Sequence, residues 1–99
     1  MGDRIIIVVK GADAQLYVHW EPENLYETLY TFNKKFDGMR GFDDPSYKLA
    51  RLTQYLTNNT DSADGYATTG FGIVTEEEDS AKYTLTFGDV LTTVLEEED

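Results

Sequence analysis

A chain of 99 residues with a formal net charge of −11 and no cysteine reads as one acidic domain, and it excludes a disulfide scaffold, a thiolate metal site and a thiol nucleophile. Hydrophobic content of 40% and aromatic content of 13% supply one core and exclude intrinsic disorder. The charge opposes direct binding to nucleic acid or to an anionic membrane, because phosphates repel carboxylates.

The chain opens with a β-branched run, Ile5 to Val9, between Arg4 and Lys10. It is too short for a signal-peptide core or a membrane span, and it reads as a strand buried on both faces. Gly11-Ala12-Asp13 is a turn, and Gln15 to Trp20 is a second strand, the expected hairpin partner of the first. Pro22 suits a helix start, with Glu21, Glu23 and Glu27 at the positive end of the dipole. That helix runs to Phe36 and carries an apolar stripe of Leu25, Leu29, Phe32 and Phe36. Asp37-Gly38 stops it. Asp44-Pro45 supplies the N-cap and first position of a second helix, which runs to about Thr57. Its buried stripe is Leu49, Leu52 and Leu56, and Tyr47, Arg51 and Tyr55 form a second row.

Asn58 to Gly65 is a polar loop. Strand pattern returns at Thr69 to Val74, where Gly70 and Gly72 suggest a bulge or a close backbone approach. Glu76 to Ser80 reads as an acidic hairpin tip. Tyr83 to Phe87 alternates as another strand, and Val90 to Leu95 is a third strand or a short helix. Residues 96–99 form a frayed acidic tail. These elements give a single α+β domain over residues 1–99: an antiparallel sheet of four or five strands with two helices on one face, in the order ββααβββ.

The negative charge is unevenly placed. Residues 1–60 carry eight acids and seven bases, whereas residues 61–99 carry eleven acids and the single base Lys82. A directional field of this kind usually faces a partner. Halophilic adaptation would spread acids over the whole surface and disfavour Lys, yet Lys outnumbers Arg five to three.

Motifs for chemistry are few. A Ser–His–acid triad needs His19, the one histidine, which sits inside a strand pattern beside Trp20 and is accounted for by an ordinary hydrogen bond. The acids sit in runs, which predicts solvent rather than the paired apolar and polar environments of a glycosidase. Thr60 to Gly65 resembles half a calcium loop, but its first position is not an acid and its twelfth is Phe71. Gly70-Phe71-Gly72 is a lone Gly-x-Gly with no following Lys. The reading is therefore a non-enzyme with no cofactor and no metal.

Surface remains. If the last three strands are neighbours, Glu76, Glu77, Glu78 and Asp79 share one part of the sheet with the Glu96 to Asp99 run, and the carboxylates form a row that imitates phosphates. Asp89, Asp61 and Asp64 would support that row. The competing explanation is a solvated turn and tail that keep an aromatic-rich domain soluble. Tyr26, Tyr30 and Tyr55 are the candidates for a separate aromatic interface on the helices.

Several short motifs occur in a fixed order: Met1-Gly2-Asp3-Arg4 with the Ile/Val run, Leu16-Tyr17-x-His19-Trp20, Phe42-Asp43-Asp44-x-x-Tyr47, and Thr69-Gly70-Phe71-Gly72-Ile73. Together they resemble a group of small phage and prophage proteins. Two departures stand out: Glu21-Pro22 where the group has Gly-Gly, and Phe42 where it has Trp. The resemblance implies a phage origin and no particular activity. Small acidic phage proteins often act as stoichiometric inhibitors of host defence, acidic anti-CRISPR proteins among them. By that analogy the expected function is an anti-CRISPR-like inhibitor in the host cytoplasm, a monomer or homodimer. Its acidic face would occupy a basic nucleic-acid-binding site on a host protein such as a CRISPR effector. The alternative is a protein-interaction domain that uses its Tyr-rich helices. A weak enzyme around His19 and Trp20 is the third reading.

Overall fold

The structure, a computed structural model, describes residues 4–19, 24–39, 43–59 and 70–93. Trp20, Pro22, Asp61, Asp64, the calcium-like loop and the 96–99 tail lie outside the described residues. The elements in chain order are β1 (Arg4–Val9), β2 (Ala14–His19), α1 (Leu25–Phe36), α2 (Pro45–Asn59), β3 (Gly70–Thr75), a single 3-10 turn (Glu78–Ser80), β4 (Ala81–Thr86) and β5 (Asp89–Thr92). The 3-10 turn between β3 and β4 is an addition to the expected ββααβββ order.

The five strands form one sheet in the order β3-β2-β1-β4-β5. β1 and β2 make the expected antiparallel hairpin, with Ile7 opposite Leu16. Two expectations fail here. The sheet is mixed, because β1 and β4 pair in parallel, with a register irregularity between Ile6 and Ile7. The last three strands are also not neighbours: β3 pairs with β2 at one edge, and β5 pairs with β4 at the other. Hence β3 and β4 run parallel with β2 and β1 between them, and residues 76–80 form a crossover rather than a hairpin tip. The turn-like composition of this segment pointed to a hairpin, and parallel strands are usually joined by a dozen residues or more. Nor does β3 carry a bulge, since its pairing with β2 is continuous.

Strand alternation assigns the two faces. Ile5, Ile7 and Val9 point to the helix side with Leu16, Val18, Tyr83, Leu85 and Val90. Against them α1 packs Leu25, Leu29, Phe32 and Phe36, and α2 packs Leu49, Leu52 and Leu56. Both stripes are those predicted from helical periodicity. On the other face Ile6 and Val8 pack with Ala81, flanked by Tyr17 and Val74. β1 is thus covered on both faces, as its unbroken apolar run requires.

Local chemistry sets the element ends. Asp44 Oδ1 accepts hydrogen bonds from the Ser46 and Tyr47 backbone N–H groups at 3.1 and 3.2 Å, capping α2. Gly11 turns β1 into β2 at φ +96°, and a Cβ there would lie 2.8 Å from Pro45 Cγ. The turn therefore needs glycine twice, for its conformation and for its contact with α2. Gly11→Ala should lower stability by about 2 kcal/mol, read as a reduced urea midpoint at unchanged slope.

Candidate functional site

The acidic crossover is built on the sheet rather than hung from it. β3 ends at Thr75 on the sheet edge, and Glu76 turns the chain with φ 63°. A left-handed conformation costs a residue with a Cβ roughly 1–2 kcal/mol. The segment then crosses the face opposite the helices. The Glu77 N–H donates to Gln15 Oε1 at 2.9 Å, and Ser80 N–H donates to the Glu77 carbonyl at 3.0 Å. Gln15 is 1% exposed, so this anchor lies beneath the strap. Ala81 then seats on Ile6 and Val8. Backbone and apolar groups hold the strap, which leaves the side chains of Glu76, Glu77, Glu78 and Asp79 exposed to solvent.

Asp89 lies on the strand farthest from the start of the strap. It begins β5 at the opposite edge of the sheet, about 19 Å away laterally from β3 at four strand spacings. Its Oδ1 accepts the Val90 N–H at 2.9 Å, and its carbonyl accepts from Asn33 Nδ2 at 2.8 Å. Asp89 is a turn residue first. A different acid stands beside the strap: Asp13 is exposed in the β1–β2 turn, next to Ala14, which pairs with Thr75. That places Asp13 beside Glu76 across the end of the sheet. Sequence reasoning missed it because its neighbour comes from β3, more than sixty residues later.

The tyrosine candidates also divide. Tyr26 and Tyr30 are exposed and stack with ring centroids 6.4 Å apart, and Lys34 Nζ lies 5.5 Å from the Tyr30 ring centroid. Tyr26 continues onto Tyr83 of β4 at 6.1 Å. Tyr55 is not part of this row. It is half-buried on α2 and packs on Phe32 at 5.4 Å, as part of the core margin. The i, i+4 spacing of Tyr47, Arg51 and Tyr55 was legible, but the inward turn of Tyr55 was not. Tyr47 and Arg51 do pair: Arg51 Nε and Nη2 donate to the Tyr47 hydroxyl at 3.2 and 3.0 Å.

One polar cluster is buried. Lys48 Nζ on α2 lies 2.9 Å from Asp37 Oδ1, with both side chains under a tenth exposed. Asp37 Oδ2 accepts the Gly88 N–H. Asn33 Nδ2 donates to the Thr86 and Asp89 carbonyls at 2.8 Å each. Asn33 of α1, Asp37 just past its end and Lys48 of α2 thus hold the β4–β5 turn. A cleft of about 260 Å³ adjoins this cluster, between Lys10, Asp43 and Phe87. Lys48 spends its charge on Asp37, so the arrangement orders a turn rather than presenting a reactive ammonium.

His19 ends β2, with its ring 6.3 Å from that of Tyr17. Among the described residues no group of three or more His, Asp or Glu side chains is placed to hold a metal ion, and no helix is long and apolar enough to cross a membrane. Compared with known proteins, the chain matches no family model, no curated protein and no solved structure.

Proposed function

We propose that this protein is a binding protein whose acidic strap occupies a basic, nucleic-acid-binding surface on another protein. The observation that carries the reading is the strap itself. Four consecutive carboxylates, Glu76 to Asp79, stand exposed on a segment anchored by Gln15 and Ala81. A pre-ordered row of charge gives up little entropy on binding, whereas a floppy acidic tail gives up much. Lys and Arg side chains that normally hold phosphates would meet carboxylates instead. By analogy with small acidic phage inhibitors, the protein is an inhibitor of the anti-CRISPR kind, acting stoichiometrically on a host defence protein. Catalysis plays no part in this reading.

Pull-down of the tagged protein from a bacterial lysate, washed at low and then high salt, tests the proposal. Recovery of a nucleic-acid-binding protein that elutes as salt rises supports it, because screened charge pairs lose affinity with ionic strength. A partner retained at high salt favours a second reading, in which the Tyr26–Tyr30 stack with Lys34 is the contact surface. Exposed aromatics backed by a cation are the residue types that dominate interface energies, and the acids then serve solubility.

A further inference from the structure

We propose that two copies of this chain associate through β3, the strands pairing antiparallel about a two-fold axis to form one ten-stranded sheet. The inference goes beyond the proposed function and does not rest on it.

The argument starts from the two sheet edges, which are built differently. At one edge β5 is four residues long, carries Asp89, and has its Val90 N–H occupied by the Asp89 side chain. Short length, a charge and a blocked donor are the usual ways a protein closes an edge to further pairing. At the other edge β3 is six residues long, Gly70-Phe71-Gly72-Ile73-Val74-Thr75, with no proline. Among the described residues its one strand neighbour is β2. It is also the one strand of the five without an ionisable side chain; β1 has Arg4, β2 His19, β4 Lys82 and β5 Asp89.

Charge then limits where a second copy can meet this one. Two molecules each of net charge −11 repel across most of their surfaces, so self-association needs a strip where like charges do not meet. β3 is such a strip. The acids that follow it leave the sheet at Glu76 and cross the outer face, away from the edge.

Its side chains are also left unfinished by the fold. Ile73 faces the helix side, opposite Leu16 in the neighbouring strand. Leu16 is fully buried, yet Ile73 is 58% exposed. Phe71 packs on the margin of the core, so the cover on this face reaches Phe71 and leaves Ile73 open. In a two-fold pairing centred on Gly72, Ile73 of each copy lies opposite Phe71 of the other on that same face. Aromatic and β-branched residues form favourable cross-strand pairs.

Sedimentation equilibrium of the full chain tests this. Wild type is expected at twice the 11.2 kDa chain mass, Ile73→Glu at the single mass with an unchanged circular dichroism spectrum, and Leu91→Glu on the opposite edge still at the double mass. A wild-type monomer at every concentration overturns the proposal, including one whose β3 takes up a strand from another protein. So does an Ile73→Glu dimer, or a dimer broken by Leu91→Glu instead. Hydrogen exchange of the wild type needs no variant: β3 amides should gain protection as protein concentration rises. Protection in β3 that is independent of concentration overturns the proposal.

Discussion

Lys48→Met lowers the free energy of unfolding by about 3–5 kcal/mol, the usual cost of leaving a buried charge without its partner. The ammonium contacts Asp37 at 2.9 Å, and the Asp37 side chain is 8% exposed. Methionine fills much of the same volume but offers no cation, so the carboxylate keeps its desolvation and loses its compensation. The loss is large beside the 5–15 kcal/mol typical of a whole domain. Chemical denaturation followed by circular dichroism measures it. Asp37→Asn in the same chain should recover much of the loss, since a neutral amide removes the unpaired charge and can still accept the Gly88 N–H through its oxygen. A loss below about 1 kcal/mol for Lys48→Met would mean that the pair is effectively solvated. The damage should concentrate at the β4–β5 turn, where Lys48, Asp37 and Asn33 converge.

The second large effect concerns binding. Reversing Glu77, Glu78 and Asp79 to Lys moves the net charge from −11 to −5, each reversal adding two. The fold should survive, because these side chains are exposed and the strap is held through the Glu77 backbone N–H, Gln15 and Ala81. Affinity for the partner recovered in the pull-down should fall at least roughly a hundredfold, since like charges set against a basic surface cost several kcal/mol. Titration calorimetry at two salt concentrations reads both the loss and its cause. The triple Gln variant should lose less, and its remaining affinity should depend less on salt. Full affinity in the Lys triple would remove the strap from the interface and leave Tyr26 and Tyr30 as the surface to mutate.

How much of this was legible in the sequence differs by element. The helices were written locally. Leu25, Leu29, Phe32 and Phe36 mark one buried face, and Asp44 and Pro45 mark the start of α2. The double burial of β1 was legible in its five apolar residues, although what covers the outer face was not. The sheet order was hidden because pairing is a long-range choice. Nothing within residues 76–80 distinguishes a hairpin tip from a crossover. The difference lies in Gln15, whose buried amide meets Glu77, and in Ile6 and Val8, which need a cover. The candidate site suffered accordingly. Glu76 to Asp79 were found as a run, Asp89 was grouped with them although it stands on β5, the strand farthest from β3, and Asp13 was passed over because its neighbour in space follows β3. The glycines of β3 suggested a bulge or a close backbone approach, and the pairing with β2 shows no bulge. They sit instead across from larger side chains of β2: Gly72 faces Tyr17, and Gly70 faces His19.

The parallel pairing of β1 with β4 also fixes when the protein can fold. The central strand is made first, yet the neighbour on its far side begins at Ala81. A nascent chain leaving the ribosome can form the β1–β2 hairpin and both helices early, but it holds one edge of β1 open until β4 has been made. The strap that covers Ile6 and Val8 arrives at the same moment. Closure is then a single event that unites β1 with β4, and its long loop slows folding relative to a domain of local contacts. Until then β1 is an apolar edge awaiting a strand, and the interval between the making of β1 and of β4 is the one in which this domain most needs protection from its neighbours.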